Sequence, residues 1–167
     1  METSLQHSIR ETFNDLNGLL SGLSQEQIDQ QPATGWSAGQ ATEHIIKAAS
    51  GLSGLFNGPV SRAQRAPDAQ VKPLRDLFLN REIKMQAPDF ILPTALSHPR
   101  EQMIGTLNTI RTEMDQLAGD MDLDLICDQF EFPEFGYLSR REWLSFVLFH
   151  TQRHTAQIRD IIQQQQA

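Results

Sequence analysis

Trp143-Leu-Ser-Phe-Val-Leu-Phe-His150-Thr-Gln-Arg-His154-Thr-Ala-Gln-Ile158 is the stretch that decides the fold. Its inward positions, Trp143, Val147, His150, His154, Ile158 and Ile161, step by three or four residues, the period of one helix face. Two imidazoles therefore stand where aliphatic side chains belong, and they point towards each other. Buried polar groups need partners. A divalent metal satisfies both rings at once; a backbone carbonyl, or a neighbouring Gln or Thr, satisfies them one at a time. Spacing alone leaves both readings open, because two His at i and i+4 are a weak metal signal by themselves.

Three further segments carry the same periodicity. The first runs through Leu5, Ile9, Phe13, Leu16, Leu20 and Leu23. The second follows Ser37 and carries Ala41, Ile45, Ala48, Leu52 and Leu55. The third is Met103, Leu107, Ile110, Met114 and Leu117. Four amphipathic stripes predict an all-α four-helix bundle, since each must be buried against the others. Ser37-Ala-Gly-Gln40 and Ser139-Arg-Arg-Glu142 read as capping boxes that open the second and fourth helices. Pro99 suits the first turn of the third.

The connections are uneven. Residues 58–99 hold six of the eight prolines and predict a long crossover between helices two and three, with one short helix near Leu74–Glu82. A connection of that length lets the second and third helices run parallel and often covers a site. Residues 113–138 hold eight acidic residues and no Lys or Arg. Asp120–Leu125 alternates polar and apolar like a strand, and Phe130–Tyr137 is its expected partner in a small hairpin before the last helix. The Gln163–Gln166 run reads as a fraying helix end.

Bulk properties narrow the function. The chain has 167 residues, 39% of them apolar and 21% charged, which suits one soluble domain over 1–167. A net charge of −7 argues against nucleic acid or an anionic membrane as the main partner. No apolar run approaches the roughly 20 residues of a membrane span. The N-terminus lacks a secretory pattern, and the single cysteine, Cys127, excludes an internal disulfide framework, so a cytoplasmic protein is expected.

His44, beside the stripe of the second helix, is a candidate third ligand if helices two and four face each other. Three imidazoles leave an open position, a catalytic rather than a closed structural pattern. Gln40 and Gln157 are candidates to orient a ligand or touch substrate, against a capping role for Gln40 and solvation for Gln157. His7 and His98 are expected at the surface, and Cys127 in the core. Trp36 and Trp143 are expected to anchor helix starts. The Asp120, Asp122, Asp124 and Glu131 spacing imitates a calcium loop, but Leu125 stands where the sharp turn needs Gly. Glu43 is offset by about 100° from His44, so no general acid or base is apparent.

Two segments carry a family resemblance: Gly35-Trp36-Ser37-Ala-Gly-Gln40-Ala-Thr-Glu-His44-Ile and His150-Thr-Gln-Arg-His154-Thr-Ala-Gln157-Ile158. With Gln86–Pro93 as the central crossover and Phe135–Ser139 as the link into the last helix, the chain resembles the DinB-like (DinB/YfiT) superfamily along nearly its whole length. The resemblance implies a four-helix bundle binding a divalent metal, often zinc or nickel, at positions matching His44, His150 and His154. It also implies activities that range from S-transfer with low-molecular-weight thiols, through a thiol-dependent isomerase, to proteins without an assigned reaction. Relatives are often dimers, which makes a homodimer the expected assembly. A thiol S-transferase acting on a small-molecule substrate is the leading expectation; a metal-dependent hydrolase or a non-catalytic ligand-binding bundle is the alternative.

Overall fold

Reciprocal capping boxes open most of the long helices. Thr3 with Gln6 starts α1 (Ser4–Ser21), Ser37 with Gln40 starts α3 (Ala38–Ala49), and Ser139 with Glu142 starts α7 (Arg140–Gln165). In each, the cap hydroxyl accepts the third backbone N–H while the third side chain returns to the cap N–H, satisfying two free donors together. A fourth long helix, α6 (Arg100–Asp120), follows Pro99, which serves as the cap itself. A computed structural model describes residues 1–167.

The architecture is the expected helical bundle with a small sheet. The four stripes form one buried cluster: Ile9, Phe13, Leu16 and Leu20 from α1, Ala41 and Ile45 from α3, Met103, Leu107 and Met114 from α6, and Val147 and Ile158 from α7. Burial of each large aliphatic or aromatic side chain stabilises the fold by about 1.5–3 kcal/mol. α1 packs along α6, and α3 along α7. The second contact positions the site.

Several expected boundaries shift. The second helix does not run unbroken to Leu55. Gly51 takes φ +87° and separates α3 from a short α4 (Leu52–Phe56). Within α3 the buried face runs Ala41, Ile45, Ala49, leaving Ala48 half-buried; past the break Leu52 and Phe56 are buried and Leu55 is half-buried. A short α2 (Gln25–Asp29), capped by Ser24, precedes α3 and carries no separate stripe in the sequence. The crossover helix α5 spans Val71–Phe78, earlier than Leu74–Glu82, because Pro73 fits its first turn.

The hairpin is present but displaced. Asp120 belongs to α6, and the first strand of the hairpin is Ile126–Phe132 rather than Asp120–Leu125. Calling Val60–Ser61 β1, Ile126–Phe132 β2 and Gly136–Ser139 β3, the sheet is antiparallel in the order β1-β2-β3. Val60 pairs with Cys127, and Phe132 with Gly136. β3 runs straight into α7 at Ser139. Glu142, fully buried, clamps this junction to the crossover. Its carboxylate accepts from both terminal nitrogens of Arg65 (2.8 and 2.7 Å), from Gln70 N (2.6 Å) and from Ser139 N (2.8 Å). No helix is long and apolar enough to cross a membrane.

Candidate metal centre

The cap at Ser37 sets the phase of α3, and that phase carries His44 onto the face packed against α7. On α7 the i, i+4 spacing stacks His150 and His154 on one side of the helix. His44 and His150 are only 3% and 4% exposed, whereas His154 is half-buried at the rim. One ligand-capable nitrogen from each ring lies within 4.8 Å of the other two. The tightest approach is between His44 Nε2 and His150 Nε2, at 2.9 Å.

Outer contacts orient two of the rings. Nδ1 of His44 donates to the carbonyl of Ile91 at 2.8 Å, and Nδ1 of His154 donates to Oε1 of Gln157 at 2.7 Å. Each Nδ1 thus keeps the proton, and in the neutral ring this leaves Nε2 with a free lone pair. Ile91 lies in a 3₁₀ turn, Asp89–Ile91, so the crossover covers the site by gripping a ring from above. Trp36 stacks obliquely on His44, with centroids 4.9 Å apart, and reaches His154 at 6.1 Å. Phe78 and Phe146 stand against His150 at 5.9 and 5.4 Å.

This apolar enclosure sets the protonation state. Burial holds the His150 imidazole well below its ordinary pKa, reinforced by His154, His44 and Arg153. Burial lowers His154 to about 4 despite its bond to Gln157, and lowers His44 despite the Ile91 carbonyl. All three rings are therefore neutral near pH 7, the form a metal requires. Three converging neutral imidazoles, two with Nδ1 already engaged, are chemically compatible with a divalent cation.

The remaining candidates separate. Gln157 lies within the constellation, whereas Gln40 is engaged in capping. The Gln40 amide bonds Ser37 N, Gln31 and the carbonyl of Thr94 (3.0, 3.1 and 3.1 Å) and so ties the cap to the crossover. Cys127 is fully buried, and burial pushes its thiol up to about 11. Trp143 is buried among Phe130, Phe132 and Phe146, with its indole N–H unpaired. Trp36 caps rings rather than filling the core. His7 is exposed.

His98 departs from the expectation of a surface residue. It is 7% exposed, and its Nε2 lies 2.7 Å from Glu43 Oε2, while its backbone N–H donates to Asp29 at 2.8 Å. Burial opposes ionisation of both carboxylates, but hydrogen bonds outweigh it. Those from His98, Thr94 N and Lys47 hold Glu43 below the ordinary value, and those from Ser97, His98 N and Gln25 do the same for Asp29. Gly39 makes room for the ring: a Cβ there would meet His98 Cβ at 2.7 Å. A histidine preceding a proline carries no periodic signal of burial, which arises only when the crossover folds over α3.

Imidazoles converging from two packed helices under a long crossover define a helical bundle with a histidine-lined centre. The chain belongs to the DinB superfamily, whose family model matches residues 8–158 and so spans all three histidines. It is 26% identical over 156 residues to the uncharacterized protein YuaE of Bacillus subtilis (strain 168), covering 90% of each chain. No solved structure matches.

Proposed function

We propose that His44, His150 and His154 hold a divalent ion, zinc or nickel, and that the protein is an S-transferase joining a low-molecular-weight thiol to a small electrophile. The observation that carries this reading is the convergence of three neutral ring nitrogens within 4.8 Å. A divalent ion in such a site supplies Lewis acidity, lowering the pKa of a thiol or of water to near neutrality. The chain's own residues hold the geometry. Ile91 and Gln157 direct the His44 and His154 lone pairs inward, while Trp36 packs on His44, and Phe78 and Phe146 enclose His150.

His154 also borders a cavity of about 330 Å³, enough for a small substrate. In the reaction, the thiol sulfur bonds to the electrophilic carbon, the leaving group departs with its electron pair, and the thiol proton passes to solvent. Thiol transfer is favoured over hydrolysis because no Asp or Glu lines that cavity to serve as a general base. A cytoplasmic location and a homodimer belong to the same reading, supported by the lone cysteine and by the family resemblance. The test is a panel of low-molecular-weight thiols with an activated aryl halide, comparing metal-loaded wild type with His154→Ala. Thioether formation in wild type alone supports the proposal; equal slow rates in both contradict it.

A second reading, a metal-free polar core in which the rings bond one another, has one specific support. The 2.9 Å separation of His44 Nε2 and His150 Nε2 is a hydrogen-bond length. Nitrogens about 2.0–2.1 Å from a tetrahedral ion stand roughly 3.3 Å apart. This reading expects unchanged melting after chelation and no turnover with any thiol.

A further inference from the structure

The cavity beside His154 carries a charge opposite to that of the molecule. The chain has 14 basic and 21 acidic residues, yet this cavity is lined by Arg81, Lys84 and Arg153 and by no carboxylate. Only one of the three cations is matched. Arg81 pairs with Asp160 at 2.6 Å, both side chains about half exposed. The Arg153 guanidinium donates to the carbonyls of Phe78, Asn80 and Ile83 at 3.1, 3.0 and 2.6 Å, which fixes its head at the end of α5 without neutralising it. Lys84 takes part in no ion pair. Trp36 and Met85 supply an apolar wall to the same cavity.

We propose that this cavity recognises an anionic small molecule, a carboxylate- or phosphate-bearing compound with an apolar body, through Arg81, Lys84 and Arg153. The inference rests on the reading of this cavity as the substrate pocket and names the class of compound it takes. The anion lies between the three cationic heads, and its apolar body lies along Trp36 and Met85 towards His154. Arg153 is held by three carbonyls and needs no reordering to receive it, which lowers the cost of binding. Positive charge in a concave site also raises the local concentration of anions and opposes the repulsion from the net −7 of the chain.

The test is calorimetric titration of the full chain, both as purified and after chelation, with 3-phenylpropionate, phenyl phosphate and 3-phenylpropionamide. Metal content is measured on the same samples. At least one anion is expected to bind at least about tenfold more tightly than the neutral amide. The tighter of the two anions identifies the head group. Arg81→Gln/Lys84→Gln removes two of the cations without touching the carbonyl contacts of Arg153. It is expected to weaken the anion about tenfold and leave the amide and the melting temperature unchanged. Equal binding of anion and amide, absence of anion binding, or an unchanged anion affinity in the double variant overturns the inference. Discrimination that persists in metal-free protein upholds it even where the metal reading fails. Metal-loaded protein without discrimination sinks this inference alone.

Discussion

Gln157 Oε1 accepts a 2.7 Å hydrogen bond from His154 Nδ1, one turn further along the same helix. The bond fixes the ring that stands at the mouth of the site. His150 and His44 are locked by burial, so His154 is the imidazole whose direction depends most on a single side chain.

Replacing Gln157 by Ala releases that ring. Outer partners of metal-binding histidines are worth roughly 10–100-fold in affinity, and a loss in that range is expected. Gln157→Glu keeps an acceptor and is expected to retain most of the affinity. Competition with a chromophoric chelator measures both variants; equal affinity for wild type and Gln157→Ala contradicts this role.

Gly39 on α3 leaves the space that the His98 side chain occupies. Gly39→Ala forces a Cβ to within 2.9 Å of three atoms of the His98 side chain. The displaced ring loses its bond to Glu43, and a destabilisation of about 1–3 kcal/mol is expected. Denaturant titration measures it. A second change, His98→Ala, makes room for the new methyl and is expected to make the two substitutions non-additive.

Glu142 binds Arg65 and two backbone N–H groups from a fully buried position. Glu142→Ala strips Gln70 N and Ser139 N of their carboxylate acceptor and leaves Arg65 with only the carbonyls of Ala66 and Tyr137. Because Arg65 is itself about a third exposed, the cost belongs at the low end for a broken buried pair, about 3 kcal/mol. Thermal melting checks it, and Glu142→Gln, which keeps an acceptor, is expected to lose less.

Cys127 gives an alkaline signature. Its thiol pKa rises from 9.0 to about 11 on folding, because burial penalises the thiolate. The unfolded chain therefore deprotonates first. The contribution is complete below pH 9 and is lost as pH climbs towards 11, up to about 2 kcal/mol. Cys127→Ala is expected to show a shallower fall of stability over that window. Labelling by a thiol reagent at pH 8 is expected only after unfolding; fast labelling of the native protein contradicts the assignment.

Most of the bundle was legible because its signals are local. The Ser37–Gln40 and Ser139–Glu142 boxes start their helices where expected, and the stripes through Phe13, Ile45, Leu107 and Val147 all meet in the core. His150 and His154 were legible as a pair from their i, i+4 spacing, whereas His44, on another helix, joined them through the family resemblance. What escaped depends on distant contacts. β1 is two residues long and exists only by pairing with β2. The alternation at Asp120–Leu125 imitates a strand, whereas α6 persists to Asp120 and pairing starts at Ile126. The break at Gly51 falls inside a continuous apolar stripe, so periodicity alone runs the second helix through it. The burial of His98 and the meeting of Arg81, Lys84 and Arg153 arise from the path of the crossover, which no periodicity encodes.

Elemental analysis of untagged protein, beside a His150→Ala/His154→Ala variant checked for folding, tests the central claim most directly. Near-stoichiometric zinc or nickel in the wild type, absent from a folded variant, is the expected result. Wild-type protein that takes up no metal after incubation with both ions would contradict it and leave the three rings as a hydrogen-bonded polar core.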